Sequence, residues 1–489
     1  MKKRHIALML AVVLGGAWLG GSWYSGKLLA EQYPQLVERV NSEFAQVSLT
    51  SPYKLEYKTT NYNKHLFTTT IENQLVVTNT QDNKNYTLPF KILVEHGPLP
   101  LSRLLTLRWL PVMASGNIEL LNDPSISPIF DASDSKTPLK GDFSVGYDQR
   151  VAQTLDFAAM HYRSEDGSHE FTSSPFKFIS DTDLNGIGKV ETEIENLAIT
   201  SNANDGLDGD PMPFKLALKN VVVKSDYQPS EYKNIGVGTQ HIKLDALELF
   251  DSNQADAKAY FSLHNLDANG DIALDNDSVN IRSKLQADKM LLSGQDLGKL
   301  FYDIAFNHLD AKALDELMST IRNAENMDEA RLEHALQSAG MAFFQHQPEL
   351  KLQPFSLTNS AGENKLTADI AFAQTDWQKA LMKGKVLSLF ERFAVNADVN
   401  RPALTETLKT LAMGDDDVDA QTAQAQAQAD VNEMLQSAVA ENILHQQSDD
   451  HYTLELKLDN GELKLNGQVI PEKDIANMIL MGILGASFY

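Results

Sequence analysis

The sequence predicts an α+β protein with a single N-terminal transmembrane helix followed by a predominantly antiparallel β body with helical inserts. Three observations predict it. An uncharged run from Ile6 to Tyr24 follows the cations Lys2, Lys3 and Arg4, long segments beyond residue 50 alternate apolar and polar residues, and helix-period stripes interrupt them in the second half. The expected divisions are a cytoplasmic tail over 1–5, an anchor over 6–24, a mainly β region over 25–290, and a mixed helix and β region over 291–489.

The apolar run covers nineteen residues. At about 1.5 Å rise per residue it spans roughly 29 Å, close to the roughly 30 Å hydrocarbon thickness of a bilayer. The preceding cations hold the N-terminus on the cytoplasmic side, so the chain beyond Lys27 is expected to be exported. A cleaved secretory signal would have an apolar core of about 7–15 residues and a small-x-small cleavage site. Leu19-Gly20-Gly21 and Gly20-Gly21-Ser22 imitate that site, but Trp18, Trp23 and Tyr24 at the outer end suit a retained anchor, because amphipathic rings favour the headgroup level. Gly16 and Gly20 form a small-xxx-small pair that would let two such helices approach closely; glycine is also simply common in membrane helices.

The chain carries 42 basic and 66 acidic residues, a net charge of −24. Without residues 1–27, which hold four cations and no acid, 38 basic residues face 66 acidic ones and the exported part stands at −28. That balance excludes nucleic acid as an expected partner, since its binding relies on neutralising phosphates. It also opposes adsorption of the whole body onto anionic lipid. The chain has no cysteine, so neither a lipidated N-terminal cysteine nor a disulfide supports the exported part.

Leu29, Tyr33, Leu36, Val37, Val40 and Phe44 recur at helical spacing, so an amphipathic helix is expected to continue from Leu28 to Val47. Strands follow at 67–78, 214–223, 241–249 and 279–285, separated by Asn, Asp, Gly and Ser. Strands at this spacing without intervening helices indicate antiparallel sheet with one wet face. The segment Leu454 to Leu465 is the clearest hairpin. A two-residue type I′ turn at Asn460-Gly461 would pair Leu458 with Leu463 and Leu456 with Leu465, placing all four leucines on one face and Lys457 opposite Lys464 on the other. Such a face either covers a core or lines an apolar groove.

Helical patterns follow at Asp310–Ile321, at Met327–Phe344, and from about Ala403 to Leu444. The last contains the glutamine-alanine repeat 420–430, which supports a helix but carries no apolar face and is expected to face solvent. Residues 474–488 form an apolar segment too short to cross a bilayer, expected to dock as a helix.

No GxSxG, HExxH, GxxxxGK[ST] or GxGxxG pattern occurs, and no catalytic residue or cofactor is expected. The nearest histidine pairs, His161 with His169 and His445 with His451, lack helix-face ligand spacing, so no metal is assigned. The acid-glycine loop 204–210 has oxygen ligands but lacks the full calcium-loop order, and turns use the same residues.

The stretch Val94 to Leu101 is less ordinary. Pro98 and Pro100 follow Gly97 and force a rigid, extended exit from a strand, with His96 at the bend as either a ligand or proton carrier, or a turn histidine bonded to the backbone. Together with 16–27, 61–67, 110–115 and 460–468, this turn gives the chain an order of features that resembles the YdgA-like family of bacterial proteins. The resemblance covers nearly the whole chain. It departs at His65, where the family's strand-entry motif would have glycine. It implies a single pass through the bacterial inner membrane with the body in the periplasm, implies no reaction, and points to His96, Gly97, Pro98 and Pro100 as a feature of the fold.

Three functions are consistent with these residues. A non-enzymatic envelope assembly or maintenance role through protein binding, with the chain as a homodimer, comes first. Lipid or hydrophobic-ligand binding in an apolar sheet groove is the alternative, and an enzyme with a dispersed site the third.

Overall fold

Antiparallel pairing carries the body of the protein, as the alternating segments require. The computed structural model describes the backbone of all residues except 1, 50–52, 81–83, 165–166, 184, 202–212, 252–257, 323–330, 332–333, 335–337, 339–341, 344–345, 376–378, 381–382, 414–417, 473–474 and 476–489. The side chains of 2–19, 43 and 46–49 also lie outside the described set. Ile6, Gly16, Trp18, the acid-glycine loop 204–210, most of 327–344 and nearly all of 474–488 therefore fall outside it.

The chain forms two compact units. The first holds residues 1–197 with 223–227 and 319–332. Helix α1 (Lys2–Leu49) is unbroken, so the amphipathic helix expected from Leu28 is the continuation of a longer one. Among the described residues no helix is long and apolar enough to cross a membrane. β1 (Tyr53–Lys64), β2 (Thr68–Asn79), β3 (Asn85–His96), β4 (Ala114–Leu120), β5 (Leu139–Val145) and β6 (Val151–Phe157) pair antiparallel in sequence order. Short helices α2 (Leu101–Leu105) and α3 (Ser127–Asp131) occupy two of the connections. β7 (Met160–Arg163) and β8 (His169–Ser173) make a hairpin, β9 (Phe176–Thr182) pairs with β6, and β10 (Gly188–Ser201) pairs with β9.

Register decides what α1 meets. Tyr62, Ile71, Ile92 and Ile118 are successive cross-strand neighbours, and so are His96, Ala114, Val145 and Val151. Side chains paired in this way share one face. Tyr33 of α1 packs on it in a core with Ile71, Val94 and Ala114, with Leu29 and Val37 on its flanks. Tyr33 donates to Asn73 Oδ1 at 2.7 Å, while Asn41 clamps the β1 backbone by accepting from Tyr57 N at 2.6 Å and donating to Tyr57 O at 2.9 Å. At the departure noted above, the His65 amide donates to Thr68 O at 2.7 Å within the β1–β2 turn. Its backbone stays out of the left-handed region, so the position accepts a side chain.

The second unit holds 198–222, 228–318 and 333–489. After β11 (Phe214–Pro229), the strands β12 (Gly236–Asp251), β13 (Phe261–Asp275), β14 (Ser278–Leu292), β15 (Gln295–Asp310), β16 (Glu349–Asn359), β17 (Gly362–Phe372) and β18 (Phe390–Asn400) each pair antiparallel with the next. β19 (His445–Gln446) and β18 both pair with β20 (His451–Asp459), which leads into β21 (Glu462–Leu465) and β22 (Gln468–Ile470). Ser293-Gly294, Asn460-Gly461 and Asn466-Gly467 all have positive φ at both residues, the type I′ geometry that matches strand twist. The expected hairpin register holds: Leu456 faces Leu465, Leu458 faces Leu463 and Lys457 faces Lys464. The paired lysines are relieved by Glu455 and Asp459, each at 2.7 Å.

Helices close the two ends of this sheet. α4 (Ala311–Arg322) is capped by Asp310, which accepts from Ala313 N at 2.7 Å, and its first turns complete a core of Ile235, Val279 and Ala311. α5 (Arg401–Ala412) and α6 (Ala420–Ala440) pack together, and a core of Val431, Leu435 and Tyr452 forms there with Val399, Leu404 and Leu408. The expectation that the glutamine-alanine repeat faces solvent is corrected here. Ala423 and Ala427 are buried in line with Val431 and Leu435, at four-residue spacing. Alanine forms the contact face because its small side chain lets helices approach closely, while the intervening glutamines stay outside.

That seam is testable by position. Ala427→Leu overfills a closed contact and is expected to cost about 1–3 kcal/mol, whereas Ala425→Leu on the exposed side stays within about 0.5 kcal/mol. Urea unfolding of the two variants reads the difference; equal stabilities would refute the packed face.

Candidate functional site

The proline turn and the helix that precedes the sheet meet each other. His96 ends β3 and is 2% exposed, with Nε2 at 2.8 Å from Thr69 Oγ1 and Nδ1 at 3.4 Å from the Leu66 carbonyl. A ring that donates from Nδ1 to the carbonyl and accepts at Nε2 from the threonine satisfies both contacts in the neutral form. Burial pushes its pKa below the usual histidine range, with Lys64 adding to the effect against the carbonyl bond. His96 is therefore a turn histidine with both nitrogens engaged, not a group presented to a reactant.

Helix α1 supplies a small-residue face against this turn. Ser22 donates to the His96 carbonyl at 3.2 Å, and Ser22 and Ser25 are both buried. A Cβ at Gly26 would lie 2.5 Å from His96 Nδ1, and one at Gly21 would lie 2.8 Å from Pro98 Cδ. Gly97 has φ +100°, and a side chain there would collide with Ser22. Pro100 is fully buried. The expected turn motif and the glycines after the apolar run thus form one joint. Gly20 differs: a Cβ there meets nothing within 4 Å, so the fold of the single chain does not require its glycine. Trp23 and Tyr24 stand away from the body, 55% and 60% exposed.

Beside the joint lies a cleft of about 650 Å³. Its floor is Ala114, Val145 and Val151, the continuation of the cross-strand row that begins at His96. Its wall is the outer flank of α1, from Ser25 through Leu29, Tyr33 and Leu36 to Val40. Arg39 donates to Asn185 at 3.0 Å at the lip, and Gln32, Gln35 and Gln149 complete the polar border. The lining has one cation, several amides and no carboxylate or histidine, so it can hold an elongated apolar group and offers no acid-base pair.

The four hairpin leucines lie in the second unit. Leu463 is buried and Leu456, Leu458 and Leu465 are half-buried, within an apolar face that crosses several strands. Leu285, Tyr302, Phe355, Leu366, Ala397 and Leu454 are one row of cross-strand neighbours, and Ile304, Leu352, Ala368, Val395, Leu456 and Leu465 are the next. Phe306, Phe355 and Leu366 on this face remain 39%, 43% and 38% exposed. The reverse face is charged: Arg282 grips Asp303 through two bonds of 2.8 and 2.6 Å, and its guanidinium holds that carboxyl below the usual range. The scattered histidines do not assemble: His161 lies 3.9 Å from Glu170, His451 lies 3.3 Å from Asp398, and no metal-holding group occurs among the described residues.

Sequence reasoning found the turn and the helix separately but not the joint between them, nor the cleft. The available signal was the pairing of small residues at 21, 22, 25 and 26 with a glycine-proline turn. Two outcomes are expected from the joint. Gly26→Ala destabilises the first unit while Gly20→Ala does not, read by thermal melting of the full chain in detergent. Because the folded state depresses the His96 pKa, stability is full above the unfolded value of about 6.5 and declines as pH falls below it. His96→Gln flattens that slope; an unchanged slope would remove His96 as its source.

The chain is similar over most of its length to other bacterial proteins. An "Uncharacterized protein" of Haemophilus influenzae is 27% identical over 323 residues, covering 66% of this chain and 86% of its own. "Protein YdgA" of Escherichia coli K12 is 24% identical over an alignment of 518 residues, covering 99% of this chain and 98% of its own. "Uncharacterized protein YihF" of the same organism is 25% identical over 496, covering 96% and 98%. A family model matches residues 1–473, and the chain thereby belongs to the family described as "Bacterial protein of unknown function (DUF945)".

Proposed function

We propose that this protein is held in the bacterial inner membrane by the apolar start of α1, carries its body in the periplasm, and binds a lipid acyl chain or a similarly hydrophobic ligand without chemical turnover. The observation that carries this reading is the cleft along α1. Its wall on α1 begins at Ser25, directly after the uncharged run, and its first apolar residue is Leu29, about 7.5 Å beyond Tyr24 along the helix, so a chain leaving the bilayer meets apolar surface within about one and a half helical turns. Its volume of about 650 Å³ falls within the range of small-molecule sites. Arg39 and the border amides suit a headgroup at the lip.

Native mass spectrometry of the full chain, released gently from bacterial membranes, is the test. The expected result is one co-purifying lipid or amphiphile per chain in the wild type and loss of most of it in Leu36→Glu. Leu36 is 45% exposed at the cleft rim, so this change places a charge in the site without disturbing the core. An empty wild type, or equal occupancy in the variant, would sink the reading.

An envelope assembly role through protein binding, with the chain as a homodimer, has a different feature in its favour: the exposed Phe306, Phe355 and Leu366 of the second unit. Pairing through a strand edge has less support, since β22 is three residues long and is followed by Pro471, the blunted form that resists strand addition. If the apolar face is the interface, Phe355→Asp shifts the dimer to monomer in light scattering of the detergent-solubilised chain. A monomeric wild type refutes it.

A further inference from the structure

The connection between β3 and β4 is a second, separate apolar feature. Its neck is closed by Val112 N donating to Pro98 O at 3.0 Å and Gly97 N to Met113 O at 3.3 Å. Between these points the chain makes an excursion that buries little of what it carries. Leu101, Leu105, Leu107, Trp109 and Leu110 are 59%, 77%, 71%, 64% and 77% exposed. The excursion is nevertheless built rather than loose. Ser102 donates through its amide and hydroxyl to Glu95 Oε2 at 3.0 and 2.5 Å, Arg108 N donates to Arg103 O at 2.8 Å, and Leu107 adopts φ 58° to turn the chain. Five large apolar side chains held outward on a closed loop form a patch of the kind that marks an interaction surface.

Position and charge identify what covers it. The neck is the part of the turn that seats on α1: Pro98 lies against Gly21, and Ser22 bonds the His96 carbonyl. Gly21 and Ser22 belong to the last turn of the uncharged run that ends at Tyr24, within about 5 Å of it along the helix axis. The excursion therefore starts at the depth where the run ends. Trp109 joins Trp23 and Tyr24 as exposed amphipathic rings, the composition of a membrane-interface belt. In a chain of net charge −24, no acid occurs in sequence from residue 96 to residue 118, where Arg103 and Arg108 lie; in space Asp142 stands 4.0 Å from Arg108 and Glu95 accepts from Ser102, so the two arginines offset these carboxylates and keep the segment from being acidic. Such a segment is compatible with anionic headgroups even though the body as a whole is repelled by them.

We infer that residues 99–111 are a membrane-seated loop, which inserts Leu101, Leu105, Leu107, Trp109 and Leu110 into the leaflet around the emerging helix while Arg103 and Arg108 face the headgroups. This rests on the reading of α1 as a retained anchor. Two attachments, one spanning and one interfacial, would fix the tilt and rotation of the first unit on the bilayer, and would turn the α1 cleft to a constant angle with it.

The absence of native cysteine permits single-cysteine labelling of the full chain. Leu105→Cys, Leu110→Cys, Tyr86→Cys and Leu14→Cys would each carry an environment-sensitive fluorophore, in vesicles of phosphatidylethanolamine and phosphatidylglycerol containing nitroxide lipids. Tyr86 is exposed at the far end of β3, ten residues and roughly 33 Å from His96. The expected result is quenching at 105 and 110 several times that at 86, together with strong quenching at 14. Quenching at 14 with 105 and 110 as dark to the lipid as 86 overturns the loop and leaves the anchor standing. A blue-shifted but unquenched label at 105 indicates a protein cover and also overturns it. Without quenching at 14 the anchor reading fails; quenching at 105 then still assigns the loop to the bilayer, and its absence ends both.

Discussion

The small face of α1 against the His96-Gly97-Pro98 turn is the contact on which the first unit depends. Gly21, Ser22, Ser25 and Gly26 leave no room for larger side chains, so backbone and ring approach to contact distance and Ser22 can reach the His96 carbonyl. The joint sets the height and rotation of the helix. Tyr33 then falls on Ile71 and Val94, Asn41 reaches the β1 backbone, and Arg39 reaches Asn185. Because helix residues repeat every 3.6 positions, a different rotation at residues 21–26 would carry all three away from their partners. The cleft is a by-product of the same geometry, since the helix seats on one end of the row His96–Ala114–Val145–Val151 and stands beside the other.

His96 illustrates how a residue type that invites a chemical reading can be fixed by packing. Its ring fills the space opposite Gly26, and its two nitrogens settle on a threonine and a carbonyl. The carbonyl and the hydroxyl could both accept from a protonated ring, so it is burial, with Lys64 nearby, that favours the neutral form. Its placement next to the cleft reflects a shared strand row, not a role in binding.

In the second unit, charge and apolar character are separated by strand alternation rather than by layers. Arg282 with Asp303 and Glu349 with Arg392 occupy one face, and the rows through Tyr302, Phe355 and Leu366 occupy the other. Helices α4, α5 and α6 complete cores at the sheet ends, and the middle of the apolar face keeps exposed rings. Alternation alone could not distinguish a covered face from an open one, which is why Leu456 and its neighbours carried two readings.

Sequence by itself determined the local terms. The type I′ hairpin at Asn460-Gly461 with its register, the antiparallel strands and the helices at 311 and 401 follow from turn chemistry and periodicity within a few residues. Periodicity misled at 420–430, where a stripe of alanines reads as polar repeat yet packs as a seam. Tertiary structure alone decided the joint, the cleft and the outward set of the 98–112 excursion. Gly26 and His96 are 70 positions apart, and the exposure of Leu101, Leu105, Leu107 and Leu110 is not legible in their sequence. Turns and periods are set by neighbours in the chain, whereas close approach and exposure are set by residues that only the fold brings together.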